Sequence, residues 1–140
     1  MPLWIIGGGG HAKVVIATAR AAGWSDLAIA DDAAQRWGQT VLGVPIVGPT
    51  ARVLADASAE AVLAVGDNRA RRHLAESAAC RFVSVRHPSA IIDATVRMGA
   101  GTVVFAGAVI QPDSRLGDHI IINTRASLDH DAVVDAYAHL

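Results

Sequence analysis

From Ile92 onward an aliphatic residue returns at every sixth position: Ile92, Met98, Val104, Ile110, Leu116, Ile122, Leu128, Val134 and Leu140. Helices repeat about every 3.6 residues and strands about every 2, so an unbroken six-residue phase predicts a stacked repeat. A second phase of small or β-branched residues runs four places later through Val96, Thr102, Ala108, Ser114, Ile120, Ala126, Ala132 and Ala138. Together the two phases predict a left-handed parallel β-helix. Each hexad forms one flat face and three faces close one triangular coil. The aliphatic residue points inward, where burial stabilises by about 25 cal/mol per Å². Gly99, Gly101, Gly107 and Gly117 are placed at the turns, where a Cβ would be penalised. An Ala/Val-rich sandwich is the competing architecture. The chain stops one residue into a ninth hexad with no polar cap in sight, so it is expected to be a fragment of a longer protein.

Before the repeat the pattern changes. Leu3 to Ile6 is an apolar run that breaks into Gly7–Gly8–Gly9–Gly10–His11, followed by a helical stretch to Ala22 with Gly23 as its stop. Further strands are predicted at 27–30, ending in Asp31 and Asp32, more weakly at 44–47, and at 61–65, ending in Gly66, Asp67 and Asn68. A helix over 69–79 and a strand over 81–85 complete the half. Alternating strands and helices predict a parallel sheet with ligands at its carboxyl edge. The fold class expected is therefore an α/β Rossmann-like domain, residues 1–86, followed by a partial β-helix, residues 87–140.

Composition narrows the partners. The 12 Lys and Arg residues stand against 13 Asp and Glu, which leaves no bulk field for nucleic acid or an anionic membrane. Cys80 is the only cysteine, so no disulfide within the chain and no thiolate metal site is expected. With no apolar run of membrane-spanning length and no signal-like start, a cytoplasmic protein without membrane insertion is expected. The mean hydropathy of +0.36 is high. It points to apolar surface buried against another subunit.

The glycine turn satisfies G-x-G-x-x-A through Gly7, Gly9 and Ala12, with Asp31 near the distance of a ribose contact. Glycines let the backbone approach a phosphate, and the helix N-terminus behind them presents free amides. A tight turn needing glycine only for its shape is the plainer reading. His11 at the helix start suits a phosphate or sugar contact, or a surface position. Asp31 and Asp32 suit sugar hydroxyls, or a solvated strand end. Gly66 allows close backbone approach beside the same crevice. Asp67 and Asn68 read as caps of the following helix.

These residues, with Lys13, Arg71, His87–Pro88–Ser89–Ala90, and Asn123–Thr124 leading to His130 and His139, resemble the sugar O- and N-acyltransferases of sialic-acid and bacillosamine biosynthesis. The resemblance covers essentially the whole chain. It implies an acetyl-CoA-dependent N-acetyltransferase acting on a UDP-linked amino-sugar in bacterial glycan biosynthesis, assembled as a homotrimer through the β-helix. It implies His130 as general base with Asp131 as its acidic neighbour, where close members often carry Glu. Gly9, Gly10, His11, Asp31, Asp32, Gly66 and Asn123 are implied as substrate contacts and His139 as an acetyl-CoA contact. No metal is implied.

The chemistry of attack on a thioester independently favours a neutral histidine near pH 7 as proton acceptor, with a carboxylate fixing its tautomer. Asp129 and Asp131 flank His130. Strand alternation turns both away from it, so the orienting contact is expected at a corner or from another chain. His139 lies half an eighteen-residue coil further on, so it is expected on a different face from His130. His73, His87 and His119 read as surface or structural. Three other functions stay open: O-acetylation of a sialic-acid-like sugar, a Rossmann NAD-binding module carried on a β-helix stalk, and a non-catalytic scaffold. The 140-residue chain is expected to bind nucleotide but to transfer acetyl groups poorly.

Overall fold

A computed structural model describes residues 1–140. The first half contains β1 (Leu3–Ile6), α1 (Gly10–Ala21), β2 (Leu27–Ala30), β3 (Thr40–Val41), β4 (Val44–Pro45), α2 (Thr50–Leu54), β5 (Glu60–Leu63), α3 (Asn68–Glu76) and β6 (Arg81–Phe82). β2, β1, β5 and β6 form a parallel sheet in that spatial order. From β1 the chain crosses to β2 on one side, and later to β5 on the other. The carboxyl ends of β1 and β5 therefore flank a topological switch point, the place where open α/β sheets leave a crevice.

The expected strand over 44–47 is instead half of an antiparallel hairpin with β3. Leu42 and Gly43, both at positive φ, form its tight turn. Only Ile46 reaches the main sheet, through one bridge to Ile29. The helix expected to reach 79 ends at Glu76. The N–H groups of Ala79 and Cys80 donate to the Leu54 carbonyl at the end of α2, which draws the chain out of the helix. α2 itself is too short to show a period in the sequence. The strand expected over 81–85 is divided between two sheets. Val83 N–H closes on Ala61 in the first sheet, and Val85 N–H opens the solenoid on Thr102.

The solenoid rungs are β7 (Val85–Arg86), β8 (Ile91–Ile92), β9 (Arg97–Met98), β10 (Val103–Val104), β11 (Val109–Ile110), β12 (Arg115–Leu116), β13 (Ile121–Ile122), β14 (Ser127–Leu128) and β15 (Val133–Val134). They stack as three parallel sheets: β7–β10–β13, β8–β11–β14 and β9–β12–β15. Each rung pairs with the rung one coil away, as in Val103 with Val85 and Ile121. This is the left-handed β-helix expected from the hexads. Val104, Ile110, Leu116 and Ile122 fill its interior with Ala108 and Ile120.

Between faces the chain turns through a residue at positive φ, and these residues keep their own six-residue phase: Gly101, Gly107, Asp113, His119, Arg125, Asp131 and Tyr137. Only the first two are glycine. Gly99 and Gly117 are not at positive φ. A Cβ on Gly99 would lie 2.7 Å from the Gly117 backbone, so close approach of coils excludes a side chain there.

The two halves share one core. On β10 and β13 both residues of the rung are buried, Val103 with Val104 and Ile121 with Ile122. The outward members, with Val85 and Phe105, pack on Ala12, Val15, Ile16 and Ala19 of α1. Much of the apolar surplus expected to face another subunit is therefore covered by the chain's own helix. Ile91 and Val133, outward on the other two faces, stay 66% and 76% exposed.

Candidate active site

The glycine turn leaves β1 at the switch point. Gly7 has φ +111°, and a Cβ there would come within 3.0 Å of the Ala64 carbonyl oxygen, so β1 and β5 approach more closely than a side chain permits. Gly8 N–H donates to Asp31 Oδ2 at 2.7 Å. Gly9 caps α1 with no side-chain acceptor, and a Cβ on Gly10 would meet nothing within 4 Å. Gly10, the first residue of α1, is exposed, so the helix begins at the open end of the crevice, and a helix N-terminus attracts a phosphate.

Asp31 and Asp32 are both at the crevice and both already engaged. Asp31 accepts from Gly8, from Ala33 N–H at 2.7 Å and from Arg36 Nη1 at 3.3 Å. Asp32 accepts from Thr50 N–H and Oγ1 at 3.0 and 2.9 Å, tying down the start of α2. A cavity of about 180 Å³ lies between them, lined by Ile6, Gly7, Val65 and Leu74. Sequence reasoning passed over Arg36, whose guanidinium lies 3.9 Å from where a Gly9 Cβ would stand, and Trp37, whose Nε1–H donates to the Asp31 carbonyl. Their isolated positions between predicted strands carried no periodic signal.

Across the crevice, on the opposite side of α1's N-terminus, the solenoid delivers His139. Its Nδ1–H donates to the Gly66 carbonyl at 3.1 Å, because a carbonyl can only accept. That leaves Nε2 to accept from Asn123 Nδ2 at 3.2 Å. Gly66, Asp67, Asn68, Asn123 and His139 line a cavity of about 500 Å³. His11 stands behind them, its ring 6.0 Å from that of His139 and 5.6 Å from Phe105. Its Nε2 is buried without a partner. Burial pulls the His11 pKa down, and the nearby His139 and Arg71 pull it further. Asp67 accepts from Ala70 N–H and so is the α3 cap expected.

His130 and Asp131 lie elsewhere. They form the corner between β14 and β15, on the edge of the prism between the two faces that α1 does not cover. His130 Nδ1 donates to Asp131 Oδ2 at 2.7 Å. Strand alternation does not apply, because both residues are in the turn and Asp131 has φ +58°. The carboxylate that Nδ1 meets is thus the chain's own Asp131, one residue away at the corner. The hydrogen bond from Asp131, then the charges of Asp131 and Asp129, raise the His130 pKa, with slight opposition from burial. In the neutral ring Nε2 carries the lone pair, and the side chain is 75% exposed. A cavity of about 650 Å³ runs from Asp131 along Val133, Asp113, Arg115 and Arg97. As expected, His139 does not share a face with His130.

Of the remaining histidines, His119 is structural. It is buried against Phe82, edge to face at 4.5 Å, and stacked on Tyr137. His87 holds Ser89 through Nδ1. No group of His, Cys, Asp and Glu is arranged to hold a metal ion, and no helix is long and apolar enough to cross a membrane.

Residues 2–78 match the family model described as the PglD N-terminal domain. The whole architecture is similar to the acetyltransferase domain of PglB from Neisseria gonorrhoeae, solved with acetyl coenzyme A. The two share 38% identity over 99% of this chain and 69% of that one, with a TM-score of 0.90. It is also similar to the perosamine N-acetyltransferase of Caulobacter crescentus, solved with CoA and GDP-perosamine and with one histidine replaced by asparagine. Identity there is 41% over 99% of this chain and 68% of that one, at a TM-score of 0.85. WeeI from Acinetobacter baumannii, 19% identical over 99% of this chain and 68% of its own at a TM-score of 0.83, shares the fold. No protein of curated function matches the chain by sequence.

Proposed function

The chain belongs to the PglD N-terminal-domain family and is an acetyltransferase, and we propose that it moves the acetyl group of acetyl-CoA to the amine of a UDP-linked sugar, with His130 as general base. The observation that carries this reading is the His130 Nδ1 to Asp131 Oδ2 hydrogen bond at 2.7 Å, which leaves Nε2 basic and open to solvent. The sugar amine attacks the thioester carbonyl carbon as Nε2 takes its proton. The new N–C bond forms, the C–S bond breaks, and the proton passes on to the departing thiolate. Asp131 holds the imidazole in the required tautomer and offsets the charge of the imidazolium.

The nucleotide occupies the crevice at the ends of β1 and β5. Its phosphates lie over the amides of Gly9, Gly10 and His11, and its ribose lies beside Asp31 and Asp32. Binding there leaves Gly8 and Thr50 to share those carboxylates with the ligand. From the solenoid side His139 faces the acyl donor and Asn123 the sugar. Within one chain the crevice and His130 lie on different sides of the prism, so a second copy completes the site. A trimer packed through the two faces that meet at His130 does this and covers the exposed side chains of Ile91 and Val133. The relative solved with GDP-perosamine makes a guanine nucleotide the alternative to uracil.

Titrating the chain with UDP-sugars, GDP-sugars and NADH by thermal shift separates these readings. Stabilisation by NADH alone would remove the acyltransfer reading. In the intact enzyme, His130→Ala is expected to abolish thiol release from acetyl-CoA with nucleotide-sugar affinity unchanged. Retained turnover would remove His130 as the base.

A further inference from the structure

Arg71 is the one charged side chain of the protein that is fully buried, at 1% exposure. It faces no carboxylate within ion-pair distance. Its five N–H groups are spent on neutral oxygens from three segments. Nε donates to the His119 carbonyl at 2.9 Å, and Nη1 to the Val65 and Gly66 carbonyls at 3.0 and 3.2 Å. Nη2 donates to Asn68 Oδ1 at 2.9 Å and to the Tyr137 carbonyl. His119 and Tyr137 are the positive-φ residues of one corner on successive coils. A single guanidinium thus joins the loop after β5 to two coils of the solenoid.

Holding a charge away from water costs several kcal/mol even after the protein relaxes. Tethering alone does not call for that charge, since the packed core of α1 and the solenoid already joins the two halves. The Gly66 carbonyl suggests what the charge is for. One of its lone pairs takes Arg71 Nη1 and the other takes His139 Nδ1–H. We propose that Arg71 is a positioning residue that, through the Gly66 carbonyl, fixes both the place and the tautomer of His139. The fork holds the carbonyl at a set distance from the last coil, and the carbonyl in turn requires the proton on Nδ1. Nε2 is then presented as an acceptor beside Asn123 toward the open cavity. Lysine cannot do this, because its three donors radiate from one atom and cannot span the three segments.

The proposal rests on the acetyltransferase reading only for what His139 contacts, and the test separates the two. In the ligand-free 140-residue chain, long-range 1H–15N correlation of the histidine rings is expected to show His139 as the Nδ1–H tautomer. A proton on Nε2 overturns the proposal with no variant needed. Arg71→Lys is expected to give a mixture of tautomers and to weaken acetyl-CoA binding by about tenfold, the scale of one well-placed hydrogen bond. UDP-sugar affinity is expected to change less than that. Should Arg71→Lys fail to fold, Asn68→Ala loosens the same fork from the surface and is expected to shift the tautomer ratio in the same direction. A His139 pattern unmoved in the folded variant overturns the proposal. Acetyl-CoA that perturbs no histidine signal of the wild-type chain would count against the acyl-donor reading and leave the link from Arg71 to His139 intact.

Discussion

Phe105→Ala tests whether the N-terminal α/β half and the solenoid are one cooperative body. Phe105 follows β10 and is fully buried in the cluster that includes Leu3 and Ile5 of β1, Val15 and Ile16 of α1, and Val85, Val103 and Ile121 of the rungs. Its truncation removes a ring from the seam and leaves a cavity among the side chains of β1, α1 and the rungs. Phe→Ala at such sites costs about 3–5 kcal/mol, because the walls relax only partly. An unfolding entropy of about 2.1 cal/mol/K per residue over the 140 residues gives about 0.3 kcal/mol per kelvin, so Tm is expected to fall by about 10–17 °C. Circular dichroism melts with a parallel urea titration measure both quantities. A shared core also requires a single transition in wild type and variant alike. Wild-type melting in two steps, or a cost below about 1 kcal/mol, would refute the shared-core account.

Asp131→Asn keeps an acceptor for His130 Nδ1 and removes the charge that raises its pKa. Because the base must be neutral, the acid limb of kcat/KM is expected to move to lower pH, and a limb that stays in place would discount Asp131 as its cause. The opposite sign applies at His119, whose pKa is lowered by burial first, with Asp118 opposing and Arg71 adding to the fall. The unfolded chain then takes up this proton first, so the contribution of His119 to stability is present above its ordinary pKa of about 6.5 and lost as pH falls through its lower folded value. His119→Asn tolerates the positive φ of the corner and is expected to flatten the loss of stability between about pH 7 and pH 5 in urea unfolding. An equally steep loss in the variant would place the acid sensitivity elsewhere.

The β-helix was legible because its register is local. An inward aliphatic residue every six positions needs only the neighbouring coil to bury it, so Val104, Ile110 and Ile122 declare their place without knowledge of anything distant. The strand and glycine turn from Leu3 to His11 were legible for a similar reason, since each step obeys a short-range rule. His130 was visible as a residue, and its contact with Asp131 falls at a corner, one of the two places the sequence left open for it. Asp131 swings back only because the corner holds it at positive φ, a conformation the sequence does not advertise when the residue is not glycine.

Other features belonged to the tertiary structure alone. Val103 and Ile121 look like ordinary rung residues until α1 is laid over them, and that contact, between segments about ninety residues apart in the chain, decides which face of the prism is closed. The run from Arg81 to Val85 looks like one strand, and two competing sheets divide it. Arg71 reads as one more polar residue on a short helix, because nothing local distinguishes a solvated arginine from one whose five donors are met by carbonyls up to 67 residues away. Periodicity specifies what a residue does within its own coil or strand. What it meets across a seam depends on where the other half of the chain comes to rest.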